Sequence, residues 1–377
     1  MKKINAAIVL TVLLAVHALV LFAFFGKPKL GEPAHPGTPS APRDFVYANR
    51  TGNPLGFEPT TSRTFVPPHD AISDRQSHDA PPRRVRETIA VPGRRPGRLR
   101  TDRPPRTAKN LSKRTRSPYV GAIVVDAATA RILFEDHPTD FAYPASVTKL
   151  MTFHLVLQAV ETGRIRLSDK VRVTPEVAKI GGSQIYLDPH ETNFTVEDLL
   201  YAVMVHSAND AARALALHLA GSEKAFVAMM NAEAQRLGMH STRYQSDCGL
   251  PPSGNALPDV STPYDVALLA LAVLRHPTAT KYAGTELRWL NRTYGKQKRI
   301  MLSNRNALVK HAGGYPGCDG LKTGYHARGG WSIVATARRG DRRVVAVVLG
   351  SPDKKSRYAA ARKLLDKGFD AEKTTGK

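Results

Sequence analysis

A break in composition near residue 117 bounds everything this chain can fold into. From about residue 26 to 117 the sequence is rich in proline and arginine, most densely at Pro81-Pro82-Arg83-Arg84 and Arg94-Arg95-Pro96-Gly97-Arg98-Leu99-Arg100, and it carries no apolar period. Such a stretch buries too little surface to offset the entropy of ordering it. It reads as an extended, self-repelling linker with a polyproline II bias. From Tyr119 onward apolar patterning sets in and continues to about residue 370, enough chain for a substantial core. Residues 371–377 read as a flexible tail, and no internal repeat is evident.

Ahead of the linker, Lys2-Lys3 precede an apolar run from Ala6 to Phe25 that is broken only by Thr11 and His17. About 20 apolar residues can span a bilayer as a helix, whereas the core of a signal peptide is usually about 7–15. Residues 1–25 are therefore expected to be an uncleaved signal anchor, with a cleaved signal peptide as the first alternative and a buried core helix as the second. Lysines flank both ends, so charge does not decide orientation. About half of the net charge of +23 lies in the linker, which holds 19 Lys and Arg against 8 Asp and Glu. An excess of that size ordinarily points to nucleic acid. Behind an export segment the polyanions on offer are instead lipid head groups, envelope polysaccharides and the carboxylates of peptidoglycan, so no nucleic-acid partner is expected. A solvated spacer without any partner is the plainer alternative. The two cysteines, Cys248 and Cys318, are too few for a disulfide scaffold. Whether they pair stays open, because sequence gives no spatial distance.

In the folded part, Ala122-Ile123-Val124-Val125-Asp126 and Ile132-Leu133-Phe134-Glu135 read as a hairpin, and residues 331–338 and 342–349 as a second one joined at Gly340-Asp341. Between them lie helical patterns. One follows Ser146 through Leu150, Met151, Leu155 and Leu157; a second runs from Val196 to Met204; a third from Ala211 to Leu219 stops at Gly221. A last helix carries Tyr358, Ala361, Leu364 and Leu365 on one face. Strands at both ends with helices between predict a mixed α/β (α+β) domain whose antiparallel sheet pairs the two hairpins.

Three short motifs carry chemistry. Ser146-Val147-Thr148-Lys149 sets a hydroxyl and an amine three residues apart, on one helix face. The pattern alone is weak: at residue frequencies of roughly 6% each, a chain this long holds about one by chance. Indeed Ser351-Pro352-Asp353-Lys354 is another, but it follows a strand and is bent by proline. A lysine serves as base only when uncharged, so Lys149 needs burial or a neighbouring cation, for which Lys322 is the candidate. Ser207-Ala208-Asn209 lies between two apolar helices, where a short loop is held at both ends. Both residues also suit a helix N-cap. Its decoy, Ser253-Gly254-Asn255, sits in a proline-glycine turn. Lys322-Thr323-Gly324 falls in a predicted edge strand from Leu321 to Tyr325, which offers backbone groups to an extended peptide. Lys322 and Thr323 suit a carboxylate, and Gly324 lets a ligand lie against the backbone.

With their flanks, Tyr143-Pro144-Ala145-Ser146-Val147-Thr148-Lys149-Leu150-Met151-Thr152, His206-Ser207-Ala208-Asn209-Asp210-Ala211-Ala212 and Asp319-Gly320-Leu321-Lys322-Thr323-Gly324-Tyr325 resemble the low-molecular-weight penicillin-binding proteins, the serine D-alanyl-D-alanine carboxypeptidases. The segments 182–187 and 249–251 resemble family segments too. The resemblance covers about residues 119–369 and makes 118–370 the catalytic domain. It implies a β-lactamase/transpeptidase-like fold, an antiparallel sheet flanked by helices with an all-helical lobe. It also implies peptidoglycan stem peptides as substrate, β-lactam antibiotics as covalent inhibitors, and no cofactor or metal.

Position by position, the resemblance implies that Ser146 attacks the D-Ala-D-Ala carbonyl and Lys149 takes its proton. Ser207 relays a proton to the leaving amine, Asn209 bonds the substrate backbone, Lys322 supplies field and Thr323 binds the terminal carboxylate. The oxyanion sits between the N–H groups of Ser146 and Tyr325. Departures from the family are expected to matter. No arginine stands near Ser351 to hold the carboxylate, so Arg328 or another cation is the expected substitute, and Cys248 replaces a polar residue. The N-terminal segment takes the place of a C-terminal anchoring helix, which puts the enzyme on the periplasmic side of the inner membrane of a bacterial envelope. A DD-endopeptidase using the same residues is the nearest rival, and a non-enzymatic basic envelope-binding protein a distant one. A β-lactamase is disfavoured, since residues 248–265 hold no glutamate for fast deacylation. His154 and His206 are read as structural, and His326 as a residue near the ligand.

Overall fold

In the computed structural model, which describes residues 118–251 and 258–371, the two expected hairpins pair into one antiparallel sheet. Strands β1 (Gly121–Asp126) and β2 (Ile132–Asp136) form the first, β6 (Gly330–Arg339) and β7 (Arg342–Ser351) the second. β1 joins them by pairing with β7, Ile123 opposite Val347, and β5 (Cys318–His326) lies at the edge opposite β2, giving the order β2-β1-β7-β6-β5. A separate hairpin, β3 (Leu287–Asn291) with β4 (Arg299–Ser303), was not legible as strands.

β7 reads as an almost unbroken apolar run because both of its faces are covered. Val345, Val347 and Leu349 enter the core beneath the helical lobe, while Val344, Ala346 and Val348 pack with Ala361, Leu364, Leu365 and Phe369 of the C-terminal helix. The alternation is the period-two geometry of a strand. β1 divides likewise, Ile123 and Val125 to one core, Ala122 and Val124 to the other.

The helical lobe comprises α1 (Lys149–Glu161), α2 (Pro175–Ala178), α3 (Val196–Tyr201), α4 (Asn209–Ala220), α5 (Glu223–Arg236), α6 (Pro263–Leu274) and α7 (Ala279–Ala283), and α8 (Lys354–Asp370) backs the sheet. α1 runs through the middle of the lobe and is buried on nearly every side, as a helix apolar all round should be. His154, expected on a helix face, is interior: its ring nitrogens lie 2.8 Å from His276 Nε2 and 2.8 Å from Glu233 Oε1. α4 ends at Gly221 in the left-handed conformation, as the sequence suggests.

The expected export segment, the linker, most of the tail and the decoy turn at 253–255 lie outside the described residues. Among the described residues no helix is long and apolar enough to cross a membrane. Cys248 and Cys318 are both free thiols.

Candidate active site

Pro144 and Ala145 feed Ser146 into a short 3-10 turn, Ala145–Thr148, that runs directly into α1. Ala145 holds φ at +51°, a costly region for a residue with a side chain. Gly249 is packed so tightly against the Ala145 carbonyl that a Cβ at that position has no room. Thr148 donates to buried Asp259 over 2.7 Å, which pins the turn from its other side.

Lys149 is completely buried, and its Nζ lies 3.2 Å from Ser146 Oγ. Nζ also donates to Asn209 Oδ1 and to the Cys248 carbonyl, each over 2.6 Å. Those two oxygens can only accept. Asn209 cannot turn over, because its Nδ2 donates to the Gly181 carbonyl at 2.9 Å. An uncharged amine has two N–H groups and one lone pair. With both N–H groups committed to carbonyl oxygens, the lone pair is what faces the Ser146 hydroxyl.

Burial holds Lys149 below its ordinary 10.5, against the opposing pull of Cys248, Asp247, Asp259 and Asp210. Of the two causes expected, burial and a nearby cation, burial leads. Lys322 is buried as well and is held well below 10.5, first by desolvation, then by repulsion from Lys149, Arg357 and Arg305. Two ammonium groups do not share a dry site at full charge.

Lys322 reaches across from β5 to donate to Ser207 Oγ at 2.8 Å and to the Thr323 carbonyl at 3.0 Å. Ser207 closes a π-helical turn, Ala202–His206, in the left-handed region with φ +65°. It does not cap α4: Ala208 occupies the N-cap and no side chain bonds there. The strained backbone thus aims a hydroxyl at Lys322 rather than satisfying a helix end. Three residues on, buried Asp210 accepts the N–H groups of Ile185 and Leu187, at 3.1 and 3.0 Å to Oδ2, and so fixes the loop above the cleft.

All three motifs line one cleft of 560 Å³, in which Ser146, Ser207, Asn209, Thr323, Gly324 and Tyr325 meet. β5 presents its free edge there. A Cβ on Gly324 would come within 2.6 Å of the Pro144 carbonyl and 3.3 Å of the Ser146 amide nitrogen, so only glycine lets the strand approach the nucleophile this closely.

Two arginines in this cleft escaped the sequence reading. Arg357, from the first turn of α8, is buried between Trp331 and Tyr358, 5.1 and 4.4 Å from their ring centres. It donates to the Gly324 and Ser332 carbonyls at 3.3 and 3.4 Å, and its Nε has no partner among the described residues. It stands six residues past Ser351, and only the turn into α8 brings it back. Arg328, the expected substitute, is not among the residues that line the cleft, and its backbone N–H goes to His326 Nδ1 at 3.1 Å. Arg305 lies 3.0 Å from His206 Nε2. Burial, then Arg305 and Lys322, push His206 down to about 4, so it is neutral at physiological pH. His326 shapes the β5–β6 turn by accepting from Arg328 and Gly329, and it also lines the cleft.

Residues 113–353 match the peptidase family described as D-alanyl-D-alanine carboxypeptidase. The chain is similar to the D-alanyl-D-alanine carboxypeptidase DacF of Bacillus subtilis, with 36% identity over 73% of this chain and 69% of that one. It spans 65% and 61% of the length of the next two curated relatives. A D-alanyl-D-alanine endopeptidase of Escherichia coli is 31% identical over 64% of this chain and 74% of its own. Among solved structures, an ampicillin-bound penicillin-binding protein of Listeria monocytogenes superposes with a TM-score of 0.58 at 30% identity, covering 68% of this chain and 98% of that one.

Proposed function

Because this chain belongs to the D-alanyl-D-alanine carboxypeptidase family, a class of serine-type hydrolases, we propose that it removes the terminal D-alanine from peptidoglycan stem peptides through an acyl-enzyme on Ser146. The observation that carries the reading is the state of Lys149: both N–H groups of its uncharged form are held by carbonyl oxygens, 2.6 Å away, and the lone pair is left for the Ser146 proton.

Each residue takes a role from its position. Ser146 Oγ attacks the carbonyl of the penultimate D-alanine as Lys149 accepts its proton. The β5 edge pairs with the substrate backbone, and Asn209 bonds it from the opposite wall. The N–H groups of Ser146 and Tyr325 receive the oxyanion, an effect worth about 3 kcal/mol per donor. Ser207, bonded to Lys322, passes a proton to the departing amine. The terminal carboxylate docks at Thr323 with Arg357 behind it, and its negative charge favours the protonated form of Lys322, which burial disfavours. Water then releases the acyl group.

β-Lactams acylate the same serine, since their strained amide presents the same carbonyl and carboxylate. An anchor at residues 1–25 would hold the enzyme on the outer face of the inner membrane with the basic linker as spacer. Cleavage of cross-links is the second reading, favoured by the similarity to an endopeptidase. The test is labelling with a fluorescent penicillin together with release of D-alanine from a pentapeptide. Wild type is expected to do both and Ser146→Ala neither. Labelling that survives in Ser146→Ala would overturn the assignment.

A further inference from the structure

Asp259 lies behind the active site rather than in it. It is buried, it lines no part of the cleft, and no step assigned above uses it. A buried carboxylate is costly unless its lone pairs are taken up. Here four donors converge: Oδ1 accepts the backbone N–H groups of Gln245 and Ser246 at 2.6 and 3.0 Å, and Oδ2 the hydroxyls of Thr148 and Ser246 at 2.7 and 3.2 Å.

Those donors belong to the two segments that place the serine and its base. Thr148 closes the 3-10 turn that presents Ser146, and Lys149 follows it. Gln245 and Ser246 open the segment that leads to Cys248 and Gly249. While it donates to Asp259, the Ser246 hydroxyl accepts the Gly249 N–H at 2.8 Å. Cys248 is thereby held between them, with its carbonyl 2.6 Å from Lys149 Nζ. Gly249, at φ +83°, rests against the Ala145 carbonyl. A ring of contacts closes. It runs from Asp259 to Thr148, along the chain to Lys149, from Nζ to the Cys248 carbonyl, through Gly249 to Ser246, and back to Asp259. Asp247 ties the same segment to α1 and α4, its carbonyl accepting from Thr152 and its carboxylate from Arg213 Nε, but neither bond reaches the Ser146 turn.

We propose that Asp259 is a positioning residue for acylation: it holds the Ser146 turn and the Cys248 carbonyl in register, so that the Lys149 lone pair meets the serine hydroxyl. The proposal rests on the Ser146 reading. A contact of 3.2 Å between Nζ and Oγ leaves little tolerance, and a misplacement of about 1 Å can cost about 100-fold in rate. The charge of Asp259 works against the base, since it pulls Lys149 toward its protonated form. Placement is therefore what the residue contributes. Asparagine can keep the bridge without the charge: its oxygen accepts the two backbone N–H groups, and its amide donates to the two hydroxyls, which turn over to accept.

Stopped-flow acylation by a penicillin, which separates the limiting rate from the binding constant, tests this in variants that still melt cooperatively. In Asp259→Ala the limiting rate is expected to fall about 100-fold, with the binding constant within about twofold of wild type. Thr148→Val and Ser246→Ala each cut one link and are expected to lose about tenfold, and the two together no more than Asp259→Ala. Asp259→Asn is expected to keep about a third or more of the wild-type rate. A folded Asp259→Ala that acylates like wild type overturns the proposal, as does a loss confined to the binding constant or an Asp259→Asn as slow as the alanine variant. Should Asp259→Ala fail to fold, Thr148→Val and Ser246→Ala decide: a lower limiting rate in both upholds the bridge, and a wild-type rate in either overturns it. A wild type that is not acylated at all strikes instead at the Ser146 reading.

Discussion

Asn209 turns its side-chain oxygen, not its nitrogen, toward Lys149 Nζ at 2.6 Å, and the bond from Nδ2 to the Gly181 carbonyl locks it that way. The amide thus accepts a hydrogen bond from the lysine without lending it negative charge. Asn209→Asp keeps the shape and adds the charge. An opposite charge this close lifts a pKa by about 1–3 units, and each unit lowers the neutral fraction about tenfold. Penicillin acylation at neutral pH is expected to drop about 10- to 1,000-fold, with recovery as pH rises. An unchanged rate at neutral pH would count against Lys149 as the base.

Gly324→Ala pushes a methyl group toward the Pro144 carbonyl and the Ser146 amide. Displacing one oxyanion donor costs about 100- to 1,000-fold. Stopped-flow acylation should show a loss of that size in a protein that still melts cooperatively. Wild-type acylation in this variant would mean that the strand edge does not serve the nucleophile.

Arg357→Gln should separate carboxylate recognition from chemistry. Hydrogen bonds to charged groups are worth about 1.5–3 kcal/mol, so kcat/KM for a free D-Ala-D-Ala terminus is expected to fall about 10- to 100-fold, mainly in KM. A thioester substrate lacking the terminal carboxylate should be turned over as before. Equal losses on both substrates would make Arg357 a packing residue only.

Stability should depend on pH in two opposite ways. Burial raises Asp259 to about 6 from 3.8, although Gln245, Thr148 and Ser246 bond its carboxylate. The folded state therefore binds more protons than the unfolded one between those values, and this contribution is lost as pH climbs from 3.8 through 6. For Glu233, burial pulls upward, but hydrogen bonds from Arg236 and His154 prevail and hold it at about 2 against an ordinary 4.5. Its contribution is present above 4.5 and lost as pH falls toward 2. In urea titrations Asp259→Asn should cost more at pH 4 than at pH 7, and Glu233→Gln more at pH 7 than at pH 2.5. A pH-independent cost for both would contradict these assignments.

What the sequence disclosed follows from what is local. Ser146 and Lys149 are one turn apart, so their meeting needs no knowledge of the rest of the chain. The two terminal hairpins and the free edge at β5 were legible because apolar β runs and a glycine-aspartate turn are contiguous signals. Ser351, the decoy serine, proves to be fully buried at the end of β7. Arg305 and Arg357 were not found, because they join the cleft only through the loop that follows β4 and the start of α8. β3 and β4 were missed for a different reason. Their outward face carries Trp289, Met301 and Arg299, so the apolar-in, polar-out alternation that announces a strand is blurred. His154 reads as an ordinary helical residue until Glu233 arrives from α5 and His276 from the α6–α7 connection.

The most direct measurement is the rate at which a penicillin acylates the wild-type enzyme as a function of pH, with intact mass and peptide mapping to locate the adduct. The adduct is expected on Ser146, and the rate should rise through an apparent pKa clearly below the 10.5 of an ordinary lysine. An adduct elsewhere, or a rate that climbs only near 10.5, would mean that Lys149 is not held uncharged beside the serine.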